Sequence, residues 1–152
     1  DTIQDDTLAF RVSAGVKVLR LATYGEEVKA EDIDLYLYRL VGDSLVFVAS
    51  SGNEGSTEQV TVSDPVPGVY YALTDLYSPE PSVSVPLNVW LVVDAAASNL
   101  TVDPSSASAT MTQPVTFTAA WSGLTAGQRY LGQVNFLEGD TPAGSTLVTV
   151  NP

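Results

Sequence analysis

The sequence contains no cysteine and no histidine among its 152 residues. Without cysteine, the chain can form no disulfide and offers no thiolate nucleophile. Without histidine as well, it lacks the usual zinc ligands and the base of a Ser-His-Asp relay. Since no G-x-S-x-G nucleophile turn is present either, we expect this chain to catalyse no reaction by itself.

Positive charge is also scarce. Six lysines and arginines stand against eighteen aspartates and glutamates, which gives a formal net charge of −12. Such a chain is repelled by nucleic acids and by anionic membrane surfaces, so we expect no nucleic-acid partner. It attracts cations instead, and carboxylate oxygens are the ligands that Ca²⁺ prefers.

Long apolar runs are missing. The longest candidate, VPLNVWLVVDAAA at 85–97, is shorter than the roughly 18 residues of a membrane-spanning helix and carries Asn88 and Asp94. We therefore expect no membrane insertion. Because the sequence starts at Asp1 with neither an initiator methionine nor a signal-peptide pattern, we interpret it as part of a longer protein.

What the sequence does contain is a series of short segments with strand-like alternation, each bounded by Gly, Pro, Ser or Asn. No segment has convincing helical periodicity. Gly42-Asp43 predicts a hairpin turn between two of the segments, and a shift of the apolar positions near Leu19 indicates a bulge. The predicted strands are 7–13, 16–24, 32–41, 44–50, 58–63, 68–77, 85–94, 100–102, 107–112, 115–121, 129–138 and 145–150.

This pattern predicts an all-β protein, built as an antiparallel β-sandwich or jelly roll. The sequence changes character at DAAASN, 94–99, which indicates a boundary between a first module at 1–95 and a smaller one at 96–152. A module of the second size is marginally stable alone without a disulfide or a metal. We therefore expect it to pack against the first.

The segment EDIDLYLYRL, 31–40, carries the candidate functional residues. Alternate residues of a strand share a face, so one face of this segment is an apolar stripe and the other bears two carboxylates followed by two aromatic rings. The apolar stripe comprises Ile33, Leu35 and Leu37, and the opposite face carries Asp32, Asp34, Tyr36 and Tyr38.

Two interpretations of Asp32 and Asp34 remain open. They could be ligands of Ca²⁺, with Glu31, Asp5 and Asp6 as neighbouring acids, although Ca²⁺ takes about 6–8 oxygens and two aspartates do not suffice. Alternatively, they are strand-end charges that are solvated or bonded to backbone N–H groups. The two readings differ in whether added calcium stabilises the fold.

The aromatic residues on the same face also have two interpretations. Tyr36 and Tyr38 could form a binding surface for a protein or a polysaccharide, because aromatic side chains supply a large contact area. The alternative is that they are ordinary half-buried strand residues. Tyr36 and Tyr38 are the best candidates among the aromatic residues because they lie opposite the apolar stripe.

A longer stretch, from Asp32 to Thr74, resembles the bacterial pre-peptidase C-terminal module. The resemblance covers roughly residues 7–94 and consists of an acid-x-acid strand, a hairpin, a loop of the type S…G…E, and a P-x-G-x-Y-Y strand. The matching residues are Asp32, Asp34, Ser51, Gly55, Glu58, Pro67, Gly68, Tyr70 and Tyr71. It implies that calcium, where such a module binds it, lies at Asp32 and Asp34.

The second module is similar to the fibronectin-III-like tail segments of secreted subtilisin-like proteases, which implies an Ig or fibronectin-III-like β-sandwich. The residues that carry this resemblance are Pro104, Trp121, Ser122, Gly123, Leu124, Gly127, Tyr130, Gly132 and Thr146. Trp121 and Tyr130 are expected to pack in the core of this module.

Together, the two resemblances imply a secreted or cell-surface protein whose catalytic domain, a subtilisin-like serine peptidase, lies upstream in the same chain. The expected function is that of a non-catalytic accessory region, which stabilises or positions the protease or its protein substrate. Two alternatives remain open: a structural or adhesion module of a cell-surface protein, and a carbohydrate-binding module.

Overall fold

The structure is a computed structural model that describes residues 6–77 and 83–152. The segment 78–82, which lies between two predicted strands, the proposed calcium neighbour Asp5 and the side chain of Asp6 lie outside the described residues. Contacts within the chain divide it into two compact units, Asp1–Asp94 and Ala95–Pro152.

The first unit contains seven strands, joined by turns at the glycine- and proline-containing positions that the sequence indicates. Their bounds are β1 Asp6–Val12, β2 Val16–Ala22, β3 Ile33–Val41, β4 Ser44–Ser51, β5 Gln59–Ser63, β6 Gly68–Leu76 and β7 Asn88–Val93.

These strands form two antiparallel sheets. The first has the order β1-β6-β3-β4 and the second has the order β5-β2-β7. Although β1 and β2 are consecutive, they belong to different sheets, because β1 pairs with β6 while β2 pairs with β5 and β7. The turn at Ala14-Gly15 therefore carries the chain from one sheet to the other.

The core lies between the two sheets. The first sheet contributes Leu35, Leu37 and Tyr70, and the second contributes Leu19 and Leu21, all in one cluster of buried side chains. The burial pattern of β3 alternates strictly along its first six residues, as the sequence pattern requires. The prediction of a β-sandwich is thus confirmed for this unit.

The two local predictions about strand pairing are also confirmed. β3 and β4 form a hairpin around Gly42-Asp43, and the pairing of β2 with β7 shifts register between Val16 and Val18. The bulge shifts the alternation of β2 by one residue, so that Val16 is buried in the same core cluster as Leu19 and Leu21.

The second unit is also all-β. β8 Leu100–Asp103 pairs with β9 Thr118–Trp121, and β10 Tyr130–Glu138 pairs with β11 Thr141–Val150. The two hairpins meet at Gly132, where an added Cβ would lie 3.5 Å from Leu100 and 3.6 Å from Trp121. Glycine there lets the strands approach closely.

Two expectations for the second unit are corrected. The prediction of a strand at 107–112 is wrong, because that segment is irregular; its residues alternate as in a strand, but all six are exposed. Trp121 and Tyr130 are only half-buried, and no side chain of 95–152 is fully buried. The packing of this unit against the first stays a prediction.

The described part of the chain contains no helix of the length and hydropathy that a membrane crossing requires.

The apolar stripe of β3 leads to a prediction about stability. Leu37 is fully buried between the sheets, so Leu37→Ala removes apolar contacts and leaves a cavity. We expect it to lower the free energy of unfolding by about 2–5 kcal/mol, as measured by urea denaturation. The control is Leu45→Ala on β4, where the side chain is 53% exposed and the change should stay within about 0.5 kcal/mol. Equal losses in the two variants would contradict the placement of the core.

Candidate functional site

The pairing of β3 with β6 brings two carboxylates face to face. Asp34 lies directly opposite Asp75 in the antiparallel register, and both residues are half-buried. Directly opposed like charges on neighbouring strands are destabilising. This position therefore needs hydrogen-bond donors or a cation to offset the repulsion.

Tyrosine hydroxyls supply such donors. The Tyr36 hydroxyl donates to Oδ2 of Asp34 at 2.9 Å. Tyr77 supplies a second hydroxyl, which interacts with Asp75 and lies beside the Tyr36 hydroxyl. The four side chains form a network at one end of the outer face of the first sheet, which we call the Asp-Tyr cluster (Asp34, Tyr36, Asp75, Tyr77).

This network changes the acidity of the phenols. The hydrogen bond to the Asp34 carboxylate, followed by the hydrogen bond to Tyr77 and by burial, raises the pKa of Tyr36 well above its ordinary value of 10.0. The hydrogen bond to Asp75 likewise raises the pKa of Tyr77, while its bond with Tyr36 acts in the opposite direction. Both phenols thus stay protonated as donors to the carboxylates.

The other predicted ligand, Asp32, has a different role. Its Oδ1 accepts a hydrogen bond from the backbone N–H of Gly55 at 3.0 Å, and its carbonyl oxygen accepts one from the N–H of Tyr77 at 3.0 Å. Gly55 has a φ of 101°, a conformation that favours glycine. Asp32 therefore holds the loop in place at Gly55, through a hydrogen bond to the backbone N–H.

Glu58 stabilises that loop, residues 51–58, by accepting hydrogen bonds from within it. The side chain is fully buried, and its two carboxylate oxygens accept hydrogen bonds from the backbone N–H and the side-chain amide of Asn53, at 2.9 and 3.1 Å. A buried charge is tolerated only with such partners. Because Glu58 is a strand-entry residue, it ties the loop to the sandwich.

The loop also encloses the Asp34 carboxylate. A Cβ added to Gly52 would lie 2.9 Å from Oδ1 of Asp34, so a side chain there would force the loop or the carboxylate to shift. Glycine at this position therefore lets the loop backbone pack directly on the carboxylate. One oxygen of Asp34 meets the Tyr36 hydroxyl and the other faces the loop.

Among the described residues, no group of three or more acidic side chains is arranged to hold a metal ion. Asp32 and Asp34 each use one carboxylate oxygen in a hydrogen bond within the protein. The remaining oxygens fall short of the about 6–8 that Ca²⁺ takes. Calcium binding at Asp32 and Asp34 stays a prediction.

The predicted binding residues Tyr36 and Tyr38 lie on the outer face of the first sheet, where both are half-buried. The ring of Tyr38 packs edge-on against Phe47 of β4, with ring centroids 5.9 Å apart, and lies opposite Tyr71 of β6. We call this set the aromatic face (Tyr36, Tyr38, Phe47, Tyr71). Phe47 is 56% exposed, so the face is open to solvent in the chain.

Sequence reasoning missed Asp75, and it considered Tyr77 only as one of several aromatic residues that could bind a partner. A signal was present, because the tripeptide Asp-Leu-Tyr occurs twice, at 34–36 and at 75–77. On two antiparallel neighbours, each copy places its acid and its phenol on the outer face. Only the register shows that the two acids lie opposite each other.

The raised pKa of Tyr36 leads to a prediction about pH. An unfolded tyrosine titrates near pH 10, and the folded state holds this proton more tightly. The stabilising contribution of Tyr36 is therefore complete below about pH 10 and is lost as the pH rises through the higher folded pKa. Between pH 8 and pH 11, urea unfolding should show a smaller loss of stability in Tyr36→Phe than in the wild type. Tyr38→Phe on the same face is the control, and an equal loss in wild type and Tyr36→Phe would refute the prediction.

The similarity of the chain to known proteins is confined to one part of its sequence. No curated protein and no solved structure matches the chain. The comparisons also give no support for a fibronectin-III-like segment or for a subtilisin-like parent, so these two stay predictions. One family match is found, in the first unit. It runs from the N-terminal segment through β1 to β5 and into β6, and it is shorter than the expected 7–94. Over this stretch, residues 4–73 match the family model of the bacterial pre-peptidase C-terminal domain.

Proposed function

We propose that the chain is a non-catalytic accessory region of a secreted, subtilisin-like serine protease, which holds the protein substrate close to the catalytic domain. The observation that carries the proposal is the match of residues 4–73 to a C-terminal domain of bacterial pre-peptidases. The absence of histidine and cysteine from the sequence agrees with a region in which the parent's catalytic residues lie elsewhere.

The aromatic face is the proposed contact with the substrate. Its rings lie on a sheet whose other side is a packed core, so little conformational freedom is lost when a ligand binds. Tyrosine supplies apolar area together with a hydroxyl that can hydrogen-bond to a peptide. Tethering a substrate in this way raises its effective concentration at a linked catalytic domain without any new chemistry.

A carbohydrate-binding module is the alternative that a specific observation favours. Sugar rings also stack on aromatic side chains, and Tyr38 and Tyr71 lie side by side on neighbouring strands of the open face. The two functions differ in ligand class. Binding assays with both classes therefore separate them.

We predict that the 152-residue chain co-sediments with insoluble protein, such as casein or gelatin particles, and not with cellulose or chitin. The variant Tyr38→Ala should weaken this binding at least tenfold, because it removes a ring at the centre of the aromatic face. Tyr130→Ala in the second unit is the matched control and should leave binding within twofold. Binding to the polysaccharides alone would favour the carbohydrate-binding function over the proposed one. If Tyr38→Ala leaves protein binding unchanged, the aromatic face is not the contact with the substrate.

Calcium binding at Asp32 and Asp34 is a second element of the proposal. The opposed carboxylates of Asp34 and Asp75 are the feature that a cation would relieve. Since the described residues supply too few oxygens, the rest of the shell would come from water or from Asp5 and Asp6. A cation that binds only the folded state raises stability by about 2.7 kcal/mol at one hundred times its Kd.

The corresponding test is a pair of thermal melts, one with millimolar Ca²⁺ and one with excess chelator. We expect a higher Tm in calcium for the wild type and no calcium-dependent shift for Asp34→Asn. Asp64→Asn is the matched control, because Asp64 pairs with Lys17 at 3.2 Å on the other sheet, and this variant should keep the full shift. Superimposable wild-type melts would rule out the calcium site.

A further inference from the structure

Strand β4 is an open edge of the first sheet. It pairs with β3 on one side, and no strand of the described ranges 6–77 and 83–152 extends the sheet on its other side. An edge strand presents backbone N–H and C=O groups to which another extended chain can bind.

Natural proteins protect such edges with lysine, proline, short strand length or a β-bulge. The one such feature of β4 is a register shift with β3 beyond Phe47, and the part from Ser44 to Phe47 has none. The whole strand is eight residues long, SLVFVASS, with neither a charge nor a proline. Leu45, Val46 and Phe47 are 53%, 47% and 56% exposed. By contrast, the opposite edge strand β1 contains Arg11, and β5 has only five residues.

The hairpin geometry shows which backbone groups are free. Gly42 has a φ of 59° at the first position of a two-residue turn, as a type II′ turn requires. In such a hairpin, the flanking residues Val41 and Ser44 exchange both hydrogen bonds, and the pairs then alternate. The N–H and C=O groups of Leu45 and Phe47 consequently point away from β3, toward solvent.

Charge indicates what kind of chain fits this edge. The strand is neutral, but Asp43 precedes it and Glu54 follows it by three residues, both exposed. A second copy of the chain would bring its own net charge of −12 against the same charge. A segment with apolar residues at its centre and lysine or arginine at its ends complements both the strand and its acidic flanks.

We propose that β4 binds an extended cationic peptide segment by strand addition, with the peptide backbone bonded to Leu45 and Phe47 and its basic ends beside Asp43 and Glu54. Main-chain hydrogen bonds then supply affinity with little dependence on sequence, and the exposed apolar side chains of β4 are covered. This goes beyond the proposed function, since it requires neither a protease parent nor the tyrosines of the aromatic face.

The probe is a fluorescently labelled peptide, Lys-Lys-Val-Thr-Phe-Thr-Val-Lys-Lys, titrated with the full chain and followed by anisotropy. We expect saturable binding that weakens with salt. Leu45→Lys should weaken it at least tenfold, because a lysine on the edge repels the peptide and blocks its approach. The matched control is Val93→Lys on β7, another uncharged edge strand, where the side chain is 52% exposed. It makes the same charge change and should stay within twofold.

Two further measurements decide whether the binding is strand addition. The same peptide, N-methylated at its three central residues, keeps its charge but loses its backbone donors, and it should bind at least tenfold more weakly. Undiminished binding of the methylated peptide would mean plain charge attraction and overturn the proposal. Analytical sedimentation of the chain alone should show a monomer. A dimer that Leu45→Lys dissociates would mean that a second copy of the chain occupies the edge of β4, and this result would also overturn the proposal. The N-methylated peptide reports on the backbone groups of β4 alone, so this test and that of the aromatic face fail separately.

Discussion

The two-sided character of β3 is the constraint on which the rest of the first unit depends. Because Ile33, Leu35 and Leu37 must be buried against the second sheet, the strict period of two forces Asp34 and Tyr36 onto the outer face. A slip of one residue would bury a carboxylate and expose the leucines. The packing of the core therefore fixes the register of β3 with β6 and β4. The same register determines which side chains lie next to each other on the outer face.

The strands of the first unit could be predicted because their periodicity, turns and burial agree with one another. The apolar face of β3, the hairpin at Gly42-Asp43 and the bulge near Val18 were all readable as local patterns. The pairing of β1 with β6 was not, since it joins segments far apart in the sequence. At 107–112 the alternation led to a wrong prediction, because the apolar positions there are two alanines and Met111, and the methionine side chain is 89% exposed.

The candidate site was only half visible from the sequence for the same reason. Asp34 and Tyr36 stood out within one segment, whereas Asp75 and Tyr77 join them only through a long-range register. The role of Asp32 depends on the N–H of Gly55, a backbone group that no side-chain pattern reveals. Glu58 stood out only as a residue of the family resemblance, yet it is among the most buried polar residues that the structure describes. Long-range pairing and backbone partners are what sequence alone leaves out.

The second unit, finally, differs from the first in one respect that affects its dynamics. None of its side chains is fully shielded from water, so little apolar burial opposes the separation of its two hairpins. Cooperative units with few buried contacts open at a low free energy. Amide hydrogens in β8 to β11 should consequently exchange with deuterium quickly, through frequent local opening. Those of β2 and β3 should exchange slowly, because their exchange requires the whole sandwich to unfold.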